Sequence, residues 1–224
     1  MLIWAGLADA PRSPSIQRVE LATGAHRPLI SASEAAPLVA PNDLVFDAHG
    51  GFYFTDTRAP AEGREPGAIY YAKADGTGVR RLADAPGANG IVVAADRRRL
   101  LVAGPLRVLA FDIVGPGELA RDGAGKAIAS IFCSAQSGRF DSMAAEAGGG
   151  LVVGTLMIGG LSVFTERGAL RETVLAPPER SVTSVGFGGP ERRTAFATLT
   201  QTGKLCAVDW PRPGLRLQYS AVGR

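Results

Sequence analysis

One pattern occurs four times in this sequence, and it constrains the fold more than any other feature. Each copy begins near a small polar residue, which we call the lead residue, and runs through apolar positions to a Gly-rich turn. The copies are PNDLVFDAHGGFYFTD from Pro41, ANGIVVAADRRRLLVAG from Ala88, FDSMAAEAGGGLVVGT from Phe140 and VTSVGFGGPERRTAFAT from Val182. The lead residues are Asn42, Asn89, Asp141 and Thr183, with spacings of 47, 52 and 42 positions. One four-stranded propeller blade occupies roughly 40 to 50 residues, so the spacing predicts that the lead residues converge on one axis.

A second repeated element lies between these copies and predicts the rest of each blade. It is a short alternating strand that ends in a polar turn: GAIYYAKADG, LRVLAFDIVGPG, GGLSVFTERG and GKLCAVDWPRPG, with a fifth copy, PSIQRVELATG, ahead of the first lead residue. Alternation is typical of half-buried strands, whereas the lead segments are more uniformly apolar, as central strands are. Four lead segments and five trailing strands predict an all-β propeller with about four and a half blades, in which residues 1–24 supply the outer portion of an incomplete first blade.

The composition is consistent with one β domain over residues 1–224. Hydrophobic residues make up 46% of the chain, while 29 Gly and 15 Pro interrupt any long helical run. The net charge of +3 is not gathered into a basic stripe with aromatics, so nucleic acid is not an expected partner. No stretch approaches 18 apolar residues, and no membrane partner is expected either.

The two cysteines indicate a reducing compartment. Cys133 and Cys206 lie in apolar stretches without CxxC spacing. We therefore expect buried free thiols and a cytoplasmic location, with a disulfide between the two as the open alternative.

Each lead residue also has a purely local interpretation. Asn42 with Asp43 can start a turn, because both side chains bond to nearby backbone. Asn89-Gly90 is a common hairpin dipeptide, and Asp141 could cap a surface turn. Their common position in the repeat favours a shared site in the channel. Thr183 is a poor ligand by itself and is either a hydrogen-bonding channel residue or a participant in the site.

Taken together, the motifs resemble the senescence-marker-protein, gluconolactonase and luciferin-regenerating family. The resemblance rests on PNDLVFD from Pro41, GGFYFTD from Gly50, NGI from Asn89 and FGGP from Phe187, and it covers about residues 10–214. It implies a six-bladed propeller that holds one divalent cation, usually calcium, in its channel and hydrolyses sugar lactones or related lactones. By the same resemblance Asn89 and Asp141 are metal ligands and Asn42 faces the substrate.

The sequence departs from the family pattern at three points. The chain begins after the position expected for a first-blade EGP-type motif, which carries a metal-binding Glu in the family, so the first blade is expected to be missing. Ser142 follows Asp141 where Gly is usual, and Ala40 stands where some sugar lactonases have Arg. Without the Glu the metal shell lacks one carboxylate, and calcium affinity follows ligand charge. We expect calcium, with zinc or manganese as alternatives, bound more weakly than in an intact site.

These residues predict a metal-dependent lactonase that acts on a small-molecule lactone or ester. A hard cation held by carboxylate and amide oxygens polarises a carbonyl group, and Asp141 could act as the catalytic base that activates water. Two alternatives stay open: a non-catalytic propeller that binds a small molecule or a protein through its channel face, and an inactive, N-terminally truncated fragment. An unclosed propeller edge would also favour a homo-oligomer.

Overall fold

The computed structural model describes residues 2–4, 14–32, 38–58 and 66–219, which form β-strands joined by turns. The strands are β1 (Leu2–Trp4), β2 (Ser15–Val19), β3 (His26–Ser31), β4 (Pro41–Phe46), β5 (Gly51–Asp56), β6 (Ala68–Lys73), β7 (Arg80–Asp84), β8 (Ile91–Val93), β9 (Arg99–Ala103), β10 (Arg107–Gly115), β11 (Glu118–Leu119), β12 (Ala129–Ser134), β13 (Arg139–Ala145), β14 (Leu151–Leu156), β15 (Gly160–Phe164), β16 (Leu170–Leu175), β17 (Val182–Gly188), β18 (Thr194–Leu199) and β19 (Lys204–Asp209). The described residues contain no helix that could span a membrane.

The strands pair antiparallel into five sheets. Their orders are β1-β2-β3, β4-β5-β6-β7, β8-β9-β10 with β11 and β12 both on β10, β13-β14-β15-β16, and β17-β18-β19. This arrangement confirms an all-β propeller with fewer than six blades, in which each lead segment and its trailing strand share a sheet. The first sheet is more complete than the outer portion expected from residues 1–24, because β3 continues it and β1 packs beside β4.

The hydrophobic core lies between successive sheets. Ile16 and Ile30 of the first sheet pack on Phe52 and Phe54 of the second. Further layers follow at each junction, and Trp210, after β19, packs between the last two sheets. Each inner sheet is therefore covered on both faces.

This layering explains why one expectation from the sequence was wrong. The trailing strands β6 and β15 were expected to be half buried, but β15 is buried throughout and β6 up to its last residue. The trailing strand of the last sheet, β19, is exposed at every position except the partly buried Cys206. Strand β18 lies in the fourth lead segment and was expected to be more uniformly apolar, but it alternates: Ala195, Ala197 and Leu199 are buried, whereas Phe196 and Thr198 on the opposite face are exposed. Burial on both faces depends on neighbouring sheets, which an isolated strand sequence does not reveal.

The first strands of the sheets surround a small channel. Strand β4 packs beside β8, β8 beside β13, and β13 beside β17. They line a cavity of about 170 Å³, to which Leu215 and Leu217 from the segment after β19 also contribute. The Leu215 amide donates to the Ala145 carbonyl at the end of β13, so this segment lies at the end of the channel opposite the lead residues.

Both cysteines are free thiols, which rules out the disulfide alternative. Cys133 is buried as expected. The expectation of burial is wrong for Cys206, which is only partly buried because it lies on the outermost strand, β19, of a three-stranded sheet.

Candidate active site

The lead residues of β4, β13 and β17 lie at β-bulges near the head of each strand. In β4, Asn42 and Asp43 stand opposite the single residue Thr55, and in β13, Asp141 and Ser142 stand opposite the single residue Gly154. The register of β17 shifts in the same way at Thr183. Bulges change the direction of side chains and are frequent beside active sites.

Asn89 holds the corresponding position just before β8. Its amide donates to the Ala103 carbonyl at 2.7 Å, and the Ala103 amide donates to the Gly90 carbonyl at 2.8 Å. Asn89 and Gly90 therefore also face a single residue of the next strand. The four lead residues occupy equivalent positions in their sheets.

Asn89 and Asp141 are brought together at the head of the channel. The Gly90 amide donates to the Asp141 main-chain carbonyl at 3.3 Å, and the side-chain amide of Asn89 is near enough to the Asp141 carboxylate to favour its charged form. Burial raises the pKa of the Asp141 carboxyl above its ordinary value, although the Asn89 side chain and a hydrogen bond from the Ser142 backbone oppose this effect. The side-chain carbonyl oxygen Oδ1 of Asn89 is buried and has no hydrogen-bond partner in the described structure. A buried acceptor without a donor is unfavourable, and a cation ligand would satisfy it.

Asn42, the residue expected to face the substrate, is exposed at the rim of the channel. It precedes the apolar part of β4 and extends from the bulge that also contains Asp43. Its exposure leaves the carboxamide available to a bound small molecule.

Asp43 is a channel residue that the sequence reasoning missed. Its Oδ2 accepts hydrogen bonds from the Ser142 hydroxyl at 3.0 Å and from the Ile91 amide at 3.2 Å, and its Oδ1 accepts one from the Leu44 amide at 2.8 Å. Burial raises the pKa of Asp43 to about 6; these hydrogen bonds oppose the shift and the nearby Asp141 charge adds to it. The available signal was a carboxylate leading directly into the apolar run of β4.

Thr183 belongs to a cluster of hydroxyl groups at the head of β17. Its Oγ1 lies 2.9 Å from Oγ1 of Thr198 and accepts a hydrogen bond from Thr200 at 3.0 Å. The Ser184 amide donates to Thr198 at 2.9 Å. These contacts support the interpretation of Thr183 as a hydrogen-bonding residue. None of them indicates that Thr183 takes part in a reaction.

The fold and the site together agree with one sequence family. The family described as the SMP-30/Gluconolactonase/LRE-like region matches residues 11–201. The chain belongs to this family. Among curated proteins, the comparison found no match.

Several solved structures share the fold of this SMP-30/gluconolactonase family member. A gluconolactonase from Xanthomonas campestris is 24% identical with a TM-score of 0.68, and the match covers 83% of this chain and 62% of that one. A putative gluconolactonase is 20% identical with a TM-score of 0.74, covering 90% and 69%. A calcium-binding protein, regucalcin, from Agrobacterium tumefaciens is 16% identical with a TM-score of 0.73, covering 91% and 72%. The chain thus spans about two thirds of the length of these proteins.

The side chains of Asn89 and Asp141 offer oxygen atoms as ligands to a cation. Among the described residues, no three His, Cys, Asp or Glu side chains are grouped so that they could hold a metal ion. A cation bound by this family member would therefore depend on mixed ligands, namely the Asp141 carboxylate and the free Asn89 amide oxygen. Such oxygen ligands suit calcium better than zinc, which prefers nitrogen and sulfur.

Proposed function

We propose that this propeller is a divalent-cation-dependent lactonase whose cation is held by Asn89 and Asp141. The observation that carries the proposal is the buried Oδ1 of Asn89, which has no partner in the described structure although the side chain lies near the Asp141 carboxylate. An amide oxygen without a hydrogen-bond donor, close to a carboxylate, is suited to share a cation with that carboxylate.

Calcium is the proposed cation, with manganese or zinc as less suitable alternatives. When bound, a divalent cation would supply a Lewis acid that polarises the carbonyl of the substrate. Because the two ligands provide only one negative charge, we expect affinity weaker than that of a site with two carboxylates.

The chain's own residues would carry out binding and proton transfer. The exposed carboxamide of Asn42 would donate a hydrogen bond to the lactone, and Asp141 would orient a water molecule. As the water oxygen adds to the carbonyl carbon, an Asp141 carboxylate oxygen accepts its proton. The bond from that carbon to the ring oxygen then breaks, the ring oxygen takes the proton from Asp141, and a hydroxy acid is released. A carboxylate within reach of the attacking water is a suitable general base for this step.

The substrate would be a small lactone or a related ester. The family and the gluconolactonases of the same fold support a sugar lactone as the first compound to test. Ala40 provides no charged group to hold sugar hydroxyls, so a less hydroxylated lactone is the second compound. We further propose that residues 1–224 act as one domain, and the two free thiols favour a cytoplasmic location.

The deciding experiment combines calcium titration with lactone hydrolysis. Calorimetry with calcium chloride should give a dissociation constant in the micromolar to millimolar range, and gluconolactone should be hydrolysed in a calcium-dependent manner. Asp141→Asn should lower kcat/KM at least about 100-fold and weaken calcium binding. Asp209 is an exposed residue at the end of β19, and Asp209→Asn should change neither quantity. Full activity of Asp141→Asn, or no calcium binding by the wild-type chain, would refute the proposal.

A second candidate function is cation-dependent binding without turnover. The site has a single carboxylate ligand in the described residues, and the regucalcin of the same fold is a calcium-binding protein. Calcium binding at Asn89 and Asp141 with no hydrolysis of any lactone or ester tested would favour this candidate over the lactonase.

We also propose that two chains associate through the last sheet. Strand β19 pairs only with β18 among the described strands. Exposed apolar side chains lie on both strands, namely Phe196 on β18 and Leu205 and Val208 on β19. Unpaired strand edges promote association. Light scattering after size-exclusion chromatography should show a dimer that Leu205→Lys disrupts; a monomer at all concentrations would exclude it.

A further inference from the structure

Thr55 connects the bulge of β4 to Asn89 through one buried hydroxyl group. Thr55 is fully buried in β5, opposite Asn42 and Asp43. Its hydroxyl donates to the main-chain carbonyl of Asn89 at 2.6 Å and accepts a hydrogen bond from the Asp43 amide at 3.2 Å. One side chain therefore satisfies main-chain groups of two neighbouring lead segments.

The next junctions between lead segments lack such a hydroxyl bridge. Between β8 and β13, the Gly90 amide donates directly to the Asp141 carbonyl at 3.3 Å. Between β14 and β17, the backbone of Gly154 packs directly against the backbone of Thr183. The contact is so close that a Cβ added to Gly154 would lie 3.0 Å from the Thr183 carbonyl oxygen. Thr55 thus replaces, at the junction of β4 and β8, a contact that the backbone makes by itself at the other junctions.

The position of Asn89 depends on few other contacts. Its main-chain amide donates to the Ala103 carbonyl at 2.7 Å, and its side-chain amide lies near the Asp141 carboxylate. The hydroxyl of Thr57 donates to the carbonyl of Ala88, the preceding residue. The Thr55 contact is the one that holds the Asn89 carbonyl itself, and so fixes the peptide plane from which the Asn89 side chain leaves.

We infer that Thr55 is a positioning residue that holds the Asn89 side-chain oxygen in place for the cation. This inference rests on the proposed function, because the cation gives that oxygen its role. Removal of the hydroxyl leaves the partly buried Asn89 carbonyl and Asp43 amide without this partner, and we expect the two lead segments to shift as these groups seek other hydrogen bonds. Residues that orient a metal ligand typically change metal affinity by about 10- to 100-fold when they are removed.

The test compares Thr55→Val, which keeps the shape of the side chain, with Thr55→Ser, which keeps the hydroxyl. Thr155→Val is the matched control, because Thr155 is equally buried but bonds to Val153 and Ser162 within its own sheet. Calorimetry should show that calcium affinity falls at least about 10-fold in Thr55→Val. It should stay within about 3-fold in Thr55→Ser and in Thr155→Val, although Thr155→Val also loses stability to urea. Equal calcium affinities of Thr55→Val and wild type would overturn the inference.

A second measurement does not depend on the cation. In NMR spectra of the cation-free chain, Thr55→Val should shift the side-chain amide resonances of Asn89 and accelerate hydrogen exchange at the Asp43 amide about 10-fold or more beyond the change at amides of β14. Thr55→Ser should restore both. If the wild-type chain binds no calcium, the proposed function fails, and these spectra still decide whether Thr55 positions Asn89: unchanged resonances and exchange in Thr55→Val would refute it.

Discussion

The hydroxyl of Ser142 donates a hydrogen bond of 3.0 Å to Oδ2 of Asp43, although the two residues are 99 positions apart in the chain. The same oxygen accepts the Ile91 amide, so one carboxylate joins β4, β8 and β13 directly beside the candidate cation site. Ser142 is the residue that replaces the usual Gly of the family pattern. Its side chain therefore has a defined partner, and the departure from that pattern has a structural consequence.

The pH dependence of stability should reveal Asp43. Its pKa is raised from 3.8 to about 6, so the folded chain binds this proton more tightly than the unfolded chain does. The resulting stabilisation is present below about pH 4 and is lost as the pH rises through about 6, which amounts to up to about 3 kcal/mol. Urea unfolding between pH 4 and 7 should show this loss in the wild type relative to Asp43→Asn, which cannot titrate. Parallel pH profiles of the two proteins would contradict the prediction.

Gly90 should tolerate no side chain. A Cβ at this position would lie 2.8 Å from the Asp141 carbonyl oxygen and 2.8 Å from the Ser142 Cα, and these backbone atoms cannot rotate away. We expect Gly90→Ala to lower the free energy of unfolding by about 1–3 kcal/mol and to weaken calcium binding, because β8 and β13 separate where Asn89 meets Asp141. Gly123→Ala is the control, since its Cβ would meet no atom within 4 Å. Similar urea midpoints for the two variants would count against this close approach.

The sequence predicted the lead residues more successfully than the contacts between them. The repeat placed Asn89 and Asp141 at equivalent positions, because spacing and polar type can be read along one chain. It did not predict the bond from Ser142 to Asp43 or the bridge from Thr55 to Asn89. Both depend on bulges that redirect side chains across sheets, and nothing in a local sequence states which distant backbone group will face such a side chain. Asp43 therefore had only a local turn interpretation, and Thr55 looked like an ordinary strand residue.

The two thiols should differ in reactivity. Burial raises the pKa of Cys133 to about 12, whereas Cys206 lies partly buried on the outermost strand. Because the thiolate is the reactive form, Ellman's reagent at pH 8 should modify about one thiol per folded chain, and the second only after unfolding. The Cys206→Ala variant should lose the fast reaction, and Cys133→Ala should keep it. Fast modification of the folded Cys206→Ala variant would contradict the assignment.

Glu146 should be essential for holding the segment that closes the far end of the channel. Glu146 is 2% exposed, and its Oε1 accepts hydrogen bonds from Trp210 Nε1 at 2.8 Å and Arg212 Nε at 2.7 Å. Its Oε2 lies 3.2 Å from the guanidinium of Arg171. Glu146→Gln would leave two arginines facing a neutral group in a mostly buried position. We expect it to lower the free energy of unfolding by about 3 kcal/mol, the range found when one partner of a buried ion pair is removed.

The control for Glu146 is Glu166→Gln. Glu166 is exposed and lies 3.8 Å from the exposed Arg167, and such surface pairs contribute less than about 1 kcal/mol. In urea titrations, the free energies of unfolding of Glu146→Gln and Glu166→Gln should differ by at least about 2 kcal/mol. Hydrogen exchange adds a local test: the Leu215 amide, which donates to the Ala145 carbonyl, should exchange faster in Glu146→Gln at denaturant concentrations where the sheets stay folded. If Leu215 kept its protection while the whole chain lost stability, Glu146 would support the sheets in general rather than this segment, because only a local attachment makes the segment open first.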